Sequence, residues 1–169
     1  PQLGMDRVLG ATSFLIDIVT GEIVEADIFF NSTFEWSTAQ GGDISRFDLE
    51  SVATHEIGHF IGLGHSALGE TELGFDGSRR VIGSGAVMFP ISFGRGNTLD
   101  RELQPDDIAG VSDLYPEDDF RDETGIVHRR VIRNGAGVQG AHVVAFNPET
   151  GALIGAFTLN ADGEFEIAG

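Results

Sequence analysis

Eleven consecutive residues constrain this chain more than any other part of it: His55-Glu56-Ile57-Gly58-His59-Phe60-Ile61-Gly62-Leu63-Gly64-His65. Residues four apart on a helix share a face, with Cβ atoms about 5–6 Å from one another. On a helix, His55 and His59 can therefore reach one ion with Zn–N bonds of about 2.0–2.1 Å. Gly62 falls three residues after His59, where the helix must end and the backbone must reverse. Glycine accepts the positive φ such a reversal needs, and the reversal can bring His65 to the same ion. Three protein ligands leave a fourth tetrahedral position open, the pattern of a catalytic rather than a structural zinc. Glu56, next to His55, is placed to take a proton from water activated by the ion and pass it to a leaving amine, as a base and not as a ligand. Five fixed positions at background frequencies of a few per cent occur by chance on the order of 10⁻⁸ per start.

The flanking sequence supports the helix. Asp48 is an N-cap type residue, and Glu50 adds negative charge to the first turn. Leu49, Val52, Ala53, Ile57 and Phe60 follow helical spacing and predict an apolar face, while Gly62 and Gly64 predict the stop. Upstream, Ala11–Val19 and Ile23–Phe30 alternate at period two around Thr20-Gly21, which predicts a β-hairpin with a two-residue break. The Gly-, Glu- and Ser-rich stretch 66–86 reads as a surface loop. A second helix is expected from Pro105 or Asp106 to Leu114, stopped before Pro116. Short apolar runs after residue 125, separated by turn signals such as Asn147-Pro148 and Asp162-Gly163, predict a small all-β unit.

Composition narrows the function. The chain has 169 residues with 27 acidic and 10 basic ones, for a formal net charge of -17. All the basic residues are arginine. Such a chain repels phosphates, which argues against a nucleic-acid partner. No apolar run approaches the roughly 20 residues of a membrane span, and Pro1–Arg7 lacks the basic-then-apolar pattern of a signal peptide. With no cysteine, disulfides, thiolate catalysis and Cys-ligated zinc are excluded. The charge is uneven, net -15 over residues 1–119 and -2 over 120–169, which suggests two structural units. We expect domains at 1–118 and 125–169, joined by a charged linker at 119–124.

With these residues in place, the chain resembles the metzincin metallopeptidases, whose signature is H-E-x-x-H-x-x-G-x-x-H followed by a Met-turn. The candidate turn is Ala86-Val87-Met88-Phe89-Pro90, and the resemblance implies that Met88 underlies the metal site without binding it. Ser66 directly after His65, the run Phe47–Thr54 before the motif and Gln104–Tyr115 after it look like the matrixin branch. In that branch one carboxylate of an acidic pair on the last helix bonds the Met-turn region; Asp106 and Asp107 take that position, with N-capping by Asp106 compatible. The resemblance implies an α+β zincin-like catalytic unit: a twisted sheet, an active-site helix and a C-terminal helix. The family's preceding strands and long helix have no counterpart in this sequence, so we expect either a fragment or a sheet completed differently. It further implies one catalytic Zn2+, an edge strand at Ala11–Val19 that pairs with an extended polypeptide substrate, and residues 89–100 walling an apolar pocket. No histidine precedes His55, so the structural zinc site of many animal matrixins has no ligands here. Glu70, Glu72 and Asp76, in an insertion after His65, could bind Ca2+, but solvated loop charge is the better reading of them.

The segment 125–169 resembles a carboxypeptidase-regulatory-like β-sandwich, here truncated, through Gly125-Ile126-Val127, Gly140-Ala141-His142-Val143 and Asp162-Gly163-Glu164-Phe165. His128 and His142 read as ordinary strand residues. Together these resemblances imply a secreted, extracellular zinc endopeptidase of bacterial origin, with Glu56 as general base. A rival reading is a non-catalytic extracellular adhesion or recognition module built on a degenerate peptidase unit. The intact Glu56 speaks against it. Substrate-binding residues and oligomeric state stay open.

Overall fold

The computed structural model describes residues 8–74, 79–92, 94–118 and 120–168. Asp76 and residue 93, which fall in stretches singled out above, lie outside the described residues. The chain divides into two compact units. One takes in the chain up to Gly64 with Thr71–Ile82 and Ile91–Glu102; the other takes His65–Glu70, Gly83–Pro90 and the chain from Leu103 onward.

In the first unit, β1 (Gly10–Ile16) pairs antiparallel with β2 (Ile23–Phe30), Gly10 opposite Phe30 and Phe14 opposite Ala26. The expected hairpin is present, but its connection is longer than two residues. Asp17 ends β1 because its carboxylate accepts the Val19 and Thr20 N–H groups at 2.7 and 3.2 Å. Gly21 N–H returns to Asp17 O at 2.8 Å, closing the turn. Such local side-chain bonding to the backbone competes with a ladder, and it wins here. After β2, β3 (Trp36–Ser37) pairs in parallel with β4 (Phe47–Asp48). Trp36 packs edge-on against Phe30, and Phe34 edge-on against Phe47, with centroids 5.8 and 5.3 Å apart. The Trp36 indole N–H is satisfied by Asn31 O at 3.1 Å.

α1 (Leu49–Phe60) follows directly, with Asp48 as N-cap accepting Ser51 N–H at 2.8 Å, as expected. Its apolar face is narrower than the spacing predicts. Val52 is buried, but Ile57 and Phe60 are 50% and 43% exposed. Ser51, Glu56 and Gly58 are buried in their place; α1 packs on β1, and Glu56 bonds Thr12 of that strand.

The stretch 66–86 is not a plain loop. β5 (Gly69–Leu73) and β6 (Arg79–Ser84) pair as a two-stranded sheet. Glu70 and Glu72 occupy alternate positions of β5, both exposed, so the polar alternation of a solvated strand passes in composition for a loop. A 3-10 turn at Leu99–Arg101 contacts α1.

In the second unit, α2 (Pro105–Leu114) has the expected bounds, but its N-cap is Gln104 and not Asp106. Pro105 fills the first helical position, where the missing N–H costs nothing. Asp107 then reaches back to Gln104 N–H at 2.9 Å in a capping box. A single helical turn, α3 (Phe120–Glu123), lies in the charged stretch after α2. Three antiparallel pairs complete the unit. β7 (Ile126–Arg130) pairs with β12 (Glu164–Ala168), β8 (Ile132–Arg133) with β9 (Ala136–Gly137), and β10 (His142–Phe146) with β11 (Leu153–Phe157). His128 and His142 both lie in strands, and the His142 ring stacks on Phe157 at 4.9 Å. Helices and strands are thus mixed, as the α+β expectation requires. The longest described helix, α1 with 12 residues, is far short of a membrane span, and no described helix is long and apolar enough to cross one.

Candidate metal centre

α1 presents His55 and His59 one turn apart, with ring centroids 4.8 Å from each other and planes nearly perpendicular. The helix ends at Phe60, and Gly62 takes φ 103°, a conformation that strains any residue with a Cβ. Gly62 N–H donates to His59 O and Leu63 N–H to Gly58 O, both at 2.9 Å, so the reversal absorbs the helix's last carbonyls. The turn also places Leu63 O 2.9 Å from His59 Nδ1. A carbonyl oxygen can only accept, so Nδ1 carries the proton and Nε2 is left with a lone pair for an ion.

Within the continuous segment 55–65, one ligand nitrogen from each of His55, His59 and His65 lies within 4.8 Å of the other two. A tetrahedral ion with bonds of about 2.0–2.1 Å sets its nitrogens roughly 3.3–3.4 Å apart, a difference that small ring rotations span. All three donors are imidazoles, which suit zinc. The three sequence-predicted ligands are therefore brought together, and they fit the ion that the motif implies.

Glu56 lies on the same helix but points to β1. It is 4% exposed. Thr12 Oγ1 sits 2.7 Å from Glu56 Oε2 and 3.0 Å from the Glu56 carbonyl oxygen. Gly10 passes so close that a Cβ there would stand 2.7 Å from Glu56 Oε1. Thr12 and Gly10 were not singled out from sequence. The available signal was a glycine opening an otherwise β-branched and apolar strand, which marks a close approach of the backbone.

Ala86, Val87 and Met88 are all buried. Asp107, 2% exposed, gathers Val87 N–H at 2.8 Å and Met88 N–H at 3.0 Å in addition to Gln104 N–H. The carboxylate that fixes the candidate Met-turn is thus Asp107, while Asp106 bonds elsewhere. Ser66 N–H, one residue past His65, donates to Met88 O at 2.9 Å. In the first unit, Arg101 grips the N-cap of α1. Its Nε is 2.9 Å from Asp48 Oδ1 and 3.2 Å from Glu50 Oε2, and its Nη2 bonds Asp48 Oδ2 and, at 2.9 Å, Ala39 O. The Arg101 hydrogen bond holds the Asp48 carboxyl below its ordinary pKa, although burial opposes the shift.

Known proteins resemble the chain in sequence. Metalloendoproteinase 1-MMP of Arabidopsis thaliana is 40% identical over 97 residues, 57% of this chain and 22% of that protein. Metalloendoproteinase 5-MMP of the same plant is 40% identical over 82 residues, 44% of this chain and 18% of that protein. Human matrilysin is 36% identical over 89 residues, 53% of this chain and 26% of that protein. The matches thus span about a fifth to a quarter of each relative. These relatives are plant and mammalian, and they lend nothing to the expected bacterial origin. No solved structure matches the chain. The family model described as matrixin matches residues 4–116, two thirds of the sequence and all of the 55–65 motif, and the chain therefore belongs to the matrixin family.

Proposed function

We propose that this chain is a zinc-dependent endopeptidase that hydrolyses peptide bonds of polypeptide substrates outside the cell, with His55, His59 and His65 holding the ion and Glu56 acting as general base. The observation that supports it most is the convergence of three imidazole nitrogens, one each from His55, His59 and His65, with the buried Glu56 next to His55 in the chain. When bound, zinc supplies Lewis acidity that polarises the scissile carbonyl and acidifies water.

The chain's own residues do the rest. His59 is held in one ring orientation by its Nδ1 bond to Leu63 O, which directs Nε2 as the candidate ligand atom. Glu56 takes the proton from the attacking water and returns it to the leaving amine. Thr12 keeps the carboxylate in one orientation through the exchange. β1, which carries Thr12, is proposed to pair with an extended substrate. Residues 1–118 would be the zincin-like peptidase domain, 119–124 a linker, and 125–169 a sandwich-type accessory domain. The calcium expectation at Glu70 and Glu72 gains no support from their places on β5.

The test is turnover by the purified chain on an unfolded protein. One zinc per chain, loss of cleavage with a chelator and loss on Glu56→Ala are expected. Full activity of Glu56→Ala would remove the base from the mechanism. Zinc binding without turnover would favour the adhesion module.

A further inference from the structure

The segment that carries His65 is anchored by stretches of the chain well beyond the metal motif. Ser66 Oγ donates to Asp106 Oδ2 at 2.6 Å and accepts Leu68 N–H at 3.1 Å. The other Asp106 oxygen, Oδ1, accepts Gly155 N–H of β11 at 2.6 Å. The ladder phase explains why that N–H is available. Thr158 N–H bonds Ala141 O, and Asn147 N–H bonds Ala152 O. Hydrogen-bonded pairs therefore alternate so that the Gly155–Val144 pair is a non-bonded one, with its N–H pointing away from β10.

Packing joins the same stretches. Leu68 is buried, and a Cβ on Gly155 would lie 3.4 Å from Leu68 Cγ and 2.9 Å from His142 Nε2. Gly85 N–H donates to Leu68 O at 2.7 Å. A side chain at 155 would crowd His142 while standing in ordinary contact with Leu68 and the Asp106 carboxylate, so Gly155 lies where β11, Asp106 and the chain just past His65 meet.

We propose that Asp106 is a positioning residue for His65: by holding Ser66 with one oxygen and Gly155 with the other, it makes strand β11 part of the support of the metal centre. This rests on the zinc reading above. Two charge-assisted bonds to one carboxylate couple their donors. Loosening β11 then loosens the third ligand, and by reciprocity, loading the ion tightens β11.

The experiment uses the full chain, with zinc affinity measured by competition with a chromophoric chelator and amide exchange followed by NMR. Asp106→Ala should weaken zinc binding about 10–100-fold, the range for lost outer-sphere partners. Asp106→Asn, which keeps an acceptor for Gly155 N–H and offers an amide to Ser66 Oγ, should recover most of it. Ser66→Ala removes one hydroxyl and serves as the second variant should Asp106→Ala not fold. In the metal-free chain, Ser66→Ala should speed exchange of the Gly155 amide. In the wild type, zinc should slow it. An Asp106→Ala or Ser66→Ala chain that binds zinc within twofold of wild type, or a Gly155 amide indifferent to Ser66→Ala, overturns the proposal. A wild-type chain that takes up no zinc sinks the zinc reading instead, while the metal-free exchange still decides the coupling.

Discussion

Thr12 Oγ1 stands 2.7 Å from Glu56 Oε2, so a hydroxyl on β1 orients the carboxylate proposed to move protons in the α1 metal motif. The hydroxyl has one proton to give, and the carboxylate is the stronger acceptor for it. A hydrogen bond to a charged group is worth about 1.5–3 kcal/mol, and each 1.4 kcal/mol at the transition state is about tenfold in rate. Thr12→Val should lower kcat about tenfold or more and leave KM within about twofold, with Thr12→Ser close to wild type. Steady-state kinetics on one peptide checks this. A change confined to KM would mean that Thr12 serves substrate binding instead.

Asp107 is the only carboxylate among the described residues seen to bond both Val87 and Met88. Asp107→Ala leaves three buried or half-buried backbone N–H groups, those of Gln104, Val87 and Met88, without their acceptor. At about 1–3 kcal/mol for each unsatisfied group, the loss should be at least about 3 kcal/mol. For a chain of this size that lowers Tm by roughly 6–12 °C. Asp107→Asn, able to accept but not charged, should fall between. Thermal melts of the three proteins measure it.

Acid should act through Asp48. Its carboxyl is held below the ordinary 3.8, first by the Arg101 hydrogen bond and further by Ser51 N–H. A depressed folded-state pKa binds fewer protons than the unfolded chain. The contribution to stability is therefore complete above pH 3.8 and disappears as pH falls through the lower folded value. Tm measured between pH 2 and 5 should drop in that window, and Asp48→Asn should flatten the drop. Asp48→Ala should also cost the N-cap, about 1 kcal/mol.

Some of this was legible in the sequence because it is local. The Asp48 cap, the i, i+4 histidines, the Gly62 reversal and the bounds of α2 each depend on a few neighbours, and all are found where spacing puts them. Longer reach defeated the same reasoning. Ile57 and Phe60 keep the helical period, yet which face is buried depends on what β1 offers, and β1 offers Thr12 to Glu56. The split between Asp106 and Asp107 was closed to sequence for a similar reason. Two adjacent carboxylates on a helix point in different directions, and only the chain around them decides that one meets the Met-turn and the other Ser66 and Gly155. β5 and β6 escaped notice because exposed glutamates on alternate positions leave no apolar period to detect.

Separating the ligands from the base gives a last prediction. Binding that favours the folded chain stabilises it by RT ln(1 + [L]/Kd), about 2.7 kcal/mol at a hundredfold excess over Kd. Zinc should therefore raise Tm, and a chelator should reverse the rise. His65→Ala removes one imidazole of the converging trio and should abolish most of the shift. Glu56→Gln should keep it, because the Glu56 carboxylate faces Thr12 and Gly10 and is not one of the three converging donors. The same variant should lose turnover, since an amide cannot take up the proton. A Glu56→Gln chain that no longer responds to zinc would instead make Glu56 part of the metal site.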